Sequence, residues 1–193
     1  MSKSKKMFLL LTVLLLTAVI TVSVWAEQST DKSEITIRRV EPQTVLYTVY
    51  RGSYEQIGQA IGKLYALAGS KGIQPRGSLS FIYLVTPEHT LAKHCLTEIR
   101  IPVAKEALKH TGTLGEMTDI KQLRTMEVAV IVKPNMKADY GVFFERLYGG
   151  ITKKGYRAYG CVSETFLGKA MPADFMQMKS EMMVPIKKIS ADD

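Results

Sequence analysis

The chain has 193 residues, of which 46% are hydrophobic and 23% charged, with a formal net charge of +8. That is enough chain to bury a core in one domain or a compact pair, and the composition is that of an ordinary globular protein. Two cysteines, Cys95 and Cys161, stand outside any CxxC spacing, which argues against a zinc site and against a dense disulfide framework.

The N-terminus has to be set aside first. Lys3, Lys5 and Lys6 precede an apolar and Thr/Ser run from Met7 to Val24, followed by Trp25-Ala26. This is the layout of a secretory signal over residues 1–26, with cleavage before Glu27. The other reading is a retained membrane anchor over 7–24, because eighteen such residues reach the lower limit for crossing hydrocarbon. Either way the lysines stay cytoplasmic and residues 27–193 are exported, to the periplasm or the cell exterior. A membrane is a partner only if the segment is kept. Without the leader lysines, 23 basic residues face 18 acidic ones, a charge of +5. The basic residues are scattered, as in Arg38-Arg39, Lys153-Lys154 and Lys187-Lys188, and lie in no groove-reading motif. Nucleic acid is therefore not an expected partner.

The mature part reads as one motif written twice. An offset of 83 residues places Gly58 on Gly141, Leu64-Tyr65 on Leu147-Tyr148, Lys71-Gly72 on Lys154-Gly155, Gly77 on Gly160, Glu98 on Glu181 and Pro102 on Pro185. The first unit, about 35–103, opens with the β-branched and aromatic run Val45–Tyr50. Ile57, Ala60, Ile61, Leu64 and Ala68 then recur at helical spacing, with Gly72 as a C-terminal cap. Strands Leu79–Val85 and Leu96–Val103 follow, the latter finishing at Pro102 on an edge or leaving the sheet. Residues 104–118, with Gly112 and Gly115, form a linker. The second unit, about 119–188, repeats the plan with Glu127–Val132, a helix marked by Tyr140, Phe143, Phe144, Leu147 and Ile151, then Cys161–Leu167 and Lys179–Ile186.

A single β-α-β-β unit leaves one sheet face and one helix stripe uncovered, and two units cover both around a pseudo-twofold axis. The expected fold is α+β: a mostly antiparallel, curved, eight-stranded sheet with two main helices and a central cleft. The duplicated strand, Gly-Ser-Tyr turn, Leu-Tyr helix, Lys-Gly turn and Thr97-Glu98-Ile99-Arg100-Ile101-Pro102-Val103 strand resemble the GyrI-like domain, also called the AraC-type effector-binding domain, over roughly Ile35–Lys188. The resemblance implies a small-molecule effector site, for ligands that are often lipophilic and cationic, usually in the sensor half of a transcription regulator. Here an export leader stands in place of a helix-turn-helix segment, against a gene-regulatory role. The resemblance also implies an acidic residue in the third strand of the second unit, which matches Glu164.

The residues give Glu164 independent interest. Alternation puts it on one face with Phe166, while its counterpart Phe81 shares a face with Tyr83. If that face lines the cleft, Glu164 is a lone acid among aromatic rings, disfavoured as a charge until a cation arrives. The alternative is a rim position or pairing with a nearby Lys or Arg. Tyr65 and Tyr148 fall beside the helix stripes as core or cleft-wall residues, with Tyr47, Tyr50 and Tyr140 as weaker wall candidates. The ligand-binding set expected from sequence is thus Glu164, Phe81, Tyr83, Phe166, Tyr65, Tyr148 and Tyr47. Glu98 and Arg100 point away from Ile99 and Ile101, toward solvent. The cysteines are read as two small buried side chains, with a disulfide as the other possibility.

No GxSxG elbow, phosphate loop or metal signature is present, and no cofactor or metal is expected. Three functions remain open. The first is an exported binding module for a small lipophilic or cationic molecule. The second is a hydrolase using Glu164 with a cleft tyrosine. The third and weakest is haem binding, through the similar duplicated fold of a haem-binding family.

Overall fold

The computed structural model describes residues 34–168 and 175–190, so the expectation of a leader or anchor lies outside the described residues. The strands are β1 (Thr36–Val40), β2 (Gln43–Arg51), β3 (Ser80–Val85), β4 (Leu96–Pro102), β5 (Thr118–Leu123), β6 (Met126–Lys133), β7 (Tyr156–Ala158), β8 (Ser163–Phe166) and β9 (Ser180–Lys188). The two main helices are α1 (Ile57–Ser70) and α2 (Tyr140–Lys153). Eight strands form a curved antiparallel half-barrel in the order β1-β6-β9-β8-β3-β4-β2-β5, and the short β7 pairs with β9 off that path. The fold class is the expected one.

One face of the sheet carries the core. Leu46, Phe81, Ile99, Ile101, Ile120, Ala129, Ile131, Met182 and Val184 pack with Ile57, Ile61, Leu64 and Ala68 of α1 and with Phe143, Leu147 and Ile151 of α2. Each fully buried aliphatic or aromatic side chain of this set contributes about 1.5–3 kcal/mol relative to exposure, which is why both helices are held to this face. Asp139 caps α2 by accepting from the Gly141 amide.

The 83-residue offset recurs in the geometry. It carries α1 onto α2 residue for residue, and β1, β2, β3 and β4 onto β5, β6, β8 and β9. At the centre of the sheet, β3 meets β8 with Phe81 opposite Glu164, two positions 83 apart. The bonds Tyr83 N to Val162 O and Phe166 N to Leu79 O, both 3.0 Å, exchange under the same offset. So do Arg76 N to Pro102 O and Tyr159 N to Pro185 O.

β4 finishes at Pro102 as expected, but of the two alternatives for that proline the edge position is corrected. β4 and β9 are interior strands, not edges. Because the nitrogen and carbonyl of one residue point the same way in a strand, Pro102 turns its nitrogen toward Arg76, past the end of β3, where no ladder donor is required.

The connectivity has one feature that sequence pairing alone does not predict. β1 does not pair with its own half; it lies along β6, with Thr36 opposite Val130. Reciprocally, β5 lies along β2, with Leu46 opposite Ile120. Ile35, just before β1, is 5% exposed and presses on Gly150 of α2, where an added Cβ would come within 2.8 Å of its side chain. Each half therefore supplies an outer strand to the other.

Two outcomes are expected. Residues 27–107 expressed alone lack β6, the partner of β1, and β5, the outer partner of β2, and should give an aggregating or molten species; a stable monomeric half would overturn the interlocked architecture. Gly72 and Gly155 follow the helices at φ +66 and +76 with open space around the α-hydrogen. Replacing either by Ala should lower stability by about 1 kcal/mol through backbone conformation alone, measured by denaturant unfolding. Unchanged midpoints for both variants would contradict this.

Candidate functional site

The cleft that gathers the expected aromatic chemistry has a volume of about 270 Å³ and is lined by Tyr54, Tyr83, Thr86, Pro87, Glu88, Tyr140 and Phe144. Both halves contribute. Tyr54 comes from the short helical turn Tyr54–Gln56 before α1, and Tyr83 with residues 86–88 from the end of β3 and its following loop. Tyr140 and Phe144 come from the first turns of α2. The rings pack edge to face, Tyr54 on Tyr83 at 5.8 Å and Tyr83 on Tyr140 at 6.2 Å between centroids. Phe144 then continues the aromatic run to Tyr148, stacked at 6.3 Å.

Behind this wall lies Glu164, with no exposed surface. Tyr83 donates to its Oε2 at 2.5 Å and Tyr140 to the same oxygen at 2.7 Å. Ser180 donates to Oε1. The carboxylate is not alone: Lys133, also fully buried, holds its Nζ 3.5 Å from Oε1 and 3.2 Å from the centroid of the Tyr140 ring. The ammonium also donates to the Met136 carbonyl at 3.4 Å. Pairing with a lysine was one of the alternatives for Glu164, but it occurs in the interior rather than at a rim.

The electrostatics follow from burial. At an effective dielectric near 20, an ion pair at this distance attracts by roughly 4–5 kcal/mol, comparable to the several kcal/mol that desolvation costs each ion. The pair is thus tolerated rather than strongly stabilising, and losing one partner costs more than losing both. Burial lowers the Lys133 pKa, and the Glu164 charge works against that shift. Burial raises Tyr83 well above the usual phenol value, and the neighbouring carboxylate adds to the rise. Tyr140 is raised for the same two reasons. Tyr54 is pushed up to about 12, chiefly by burial. These phenols are protonated donors at neutral pH.

The other residues expected at the site are dispersed. Phe81 and Phe166 are 0% and 1% exposed and pack edge to face with each other at 4.8 Å and with Phe175, as core rather than cleft wall. Tyr65 is half-buried on α1 against the core. Tyr148 is 41% exposed beyond Phe144. Tyr47 lies on the opposite face of the sheet, with Lys121 over its ring at 4.1 Å. Glu98 shares that face but is buried rather than solvated, bonded to Arg100 and, at 2.7 Å, to Lys121. The cysteines are both free, Cys95 buried and Cys161 exposed, so the expectation of two buried side chains holds for the first alone.

Sequence reasoning missed Lys133, Ser180, Tyr54 and, as a cleft wall, Phe144. The first two carried a signal: alternation along β6 and β9 puts Lys133 on the face of Ala129 and Ile131, and Ser180 on that of Met182 and Val184. Under the offset their counterparts are Tyr50 and Thr97, half-buried and fully buried.

Among solved structures, the C-terminal domain of EcmrR aligns with a TM-score of 0.66 at 10% identity, over 81% of this chain and 98% of that one. EcmrR in a DNA complex aligns with a TM-score of 0.68 at 9% identity, over 97% and 69%. A hydrolase from Listeria innocua aligns with a TM-score of 0.59 at 13% identity, over 86% and 98%. At such identities the shared property is the fold. No curated protein sequence gives a significant match. The family model for the GyrI-like small molecule binding domain matches residues 33–187, which span both halves, the aromatic cleft and the buried carboxylate. The chain belongs to the GyrI-like small molecule binding domain family.

Proposed function

We propose that this domain binds a small, mainly apolar molecule in the cleft between Tyr54, Tyr83, Tyr140 and Phe144. The observation that carries the reading is the direction of the phenols. Tyr83 and Tyr140 turn their hydroxyls inward to Glu164, so the wall they give the cleft is largely aromatic carbon. Such a surface favours a ligand that exchanges water for ring contacts. Glu164 acts here as an organiser, fixing two walls of the cleft from behind. The exported location is part of the proposal and is supported by the Lys3–Ala26 pattern. Intact-mass measurement of the protein from the membrane and the exported fraction tests it, a mass beginning at Glu27 in the soluble fraction being the expected result.

A hydrolase is the second reading. Two tyrosine hydroxyls within hydrogen-bond reach of a carboxylate favour it, and a structural neighbour is described as a hydrolase. Against it, Glu164 has no exposed surface, so neither water nor substrate reaches the carboxylate in this arrangement. Turnover of an electrophilic ester that disappears in both Glu164→Gln and Tyr140→Phe would favour the enzyme.

For the binding reading, titration calorimetry with tert-butylbenzene should show roughly tenfold weaker binding for Phe144→Ala and for Tyr54→Ala, about 1.4 kcal/mol each. Tyr47→Ala, on the far face, should leave affinity unchanged; the reverse pattern would move the site. The phenols give a further test. With folded-state pKa values raised, Tyr83 and Tyr140 contribute stability that is complete below the ordinary phenol value of about 10 and is lost as the pH climbs above it. Of the nine tyrosines, these two should ionise only as the domain unfolds. Reversible ionisation of all nine below about pH 11 in the folded protein would contradict their burial against Glu164.

A further inference from the structure

We propose that Lys133 sets the charge specificity of the cleft: its ammonium fills the place beside Glu164 that a ligand cation would take, so the cleft accepts uncharged apolar molecules and rejects their cationic isosteres. The inference rests on the reading of the cleft given above.

Three observations carry it. First, Lys133 and Glu164 are both without exposed surface and 3.5 Å apart, so the region behind the cleft has two charges that cancel. An arriving cation meets a neutral pair already bonded to Tyr83, Tyr140 and Ser180, not a carboxylate in want of a partner. Second, Lys133 sits on the Tyr140 ring at 3.2 Å. Tyr140 is also a wall of the cleft, so a cation bound there would share that ring's electron density with an ammonium that repels it. Third, the remaining carboxylate of the lining is Glu88, which is exposed on the loop after β3, where water screens its attraction.

The groups that face Lys133 are Glu164 from β8, Tyr140 from α2, Ser180 opposite it on β9 and, through Glu164, Tyr83 from β3. The two phenols keep their protons past pH 9.5, and Glu164 lies in a pair whose only basic member is Lys133. Because burial lowers the lysine from its ordinary value while it raises both phenols, a rise in pH draws charge from Lys133 before any other member of this group.

The test uses two probes of one shape, phenyltrimethylammonium and tert-butylbenzene, titrated calorimetrically into the folded wild-type domain and Lys133→Met. At pH 7.5 the wild type should prefer the neutral probe by at least tenfold. Lys133→Met leaves the Glu164 charge without its counter-ion and should bind the cation at least tenfold more tightly than wild type does, while the neutral probe changes less than threefold. If that variant is too unstable to titrate, the wild type decides: its affinity for the cation should rise between pH 7.5 and 9.5 and that for the neutral probe should stay flat. The double variant Lys133→Met/Glu164→Gln, with neither charge, should show no pH-dependent gain for the cation. Wild type preferring the cation at pH 7.5, or a cation affinity indifferent to both pH and Lys133→Met while the neutral probe binds, would overturn the role of Lys133 and leave the cleft standing. Binding of neither probe to any form would overturn the cleft reading and this inference together.

Discussion

A carboxylate buried on the seam between two halves of a sheet obliges its surroundings to satisfy it. Glu164 sits opposite Phe81 where β3 meets β8, the point about which the two halves exchange. There its oxygens are out of reach of solvent, and their partners have to come from four different elements: Tyr83 of β3, Tyr140 of α2, Ser180 of β9 and Lys133 of β6. That requirement fixes the rotamers of two tyrosines, and those tyrosines are two walls of the cleft. The site is thus shaped from its interior outward, and its apolar face is the reverse side of a polar network.

The two halves share an order of main elements but divide the chemistry unequally. At the positions of Glu164, Ser180, Lys133, Tyr140 and Tyr83 the other half carries Phe81, Thr97, Tyr50, Ile57 and Phe166. Four of these are apolar or aromatic, and the fifth, Thr97, is buried with its hydroxyl unpartnered among the described residues. None of these five positions carries a charge that could organise a second network of the same kind. The polar backing of the cleft therefore stands on one side of the β3–β8 seam.

Much of this architecture was legible in the chain. The offset of 83 placed both helices and the main strands of each half, since hydrophobic period and glycine stops are local properties of the sequence. β1 and β5 were not legible. Thr36–Val40 carries two arginines in five residues, and its partner is residues away in the other half, a matter of long-range pairing that periodicity does not report. Glu164 was legible through its parity on β8 and its mismatch with Phe81. Lys133 obeys the same parity rule, but lysines are rarely buried, so parity alone does not single it out; the exception arises where a buried acid needs a partner. The inward turn of the tyrosine hydroxyls depends on that pair, so it could not be anticipated without it.

The exchange of outer strands has a kinetic meaning. Thr36 finds its partner Val130 only after most of the chain exists, and β9 must arrive before β6 and β8 are joined. Contacts so distant in sequence have to close large loops before they return any stabilisation, which slows folding and keeps early segments unpaired. A chain emerging in N-to-C order therefore carries β1 as an open strand edge until its final third appears. Completion of the sheet is thereby postponed until β6 and β9 are available to pair.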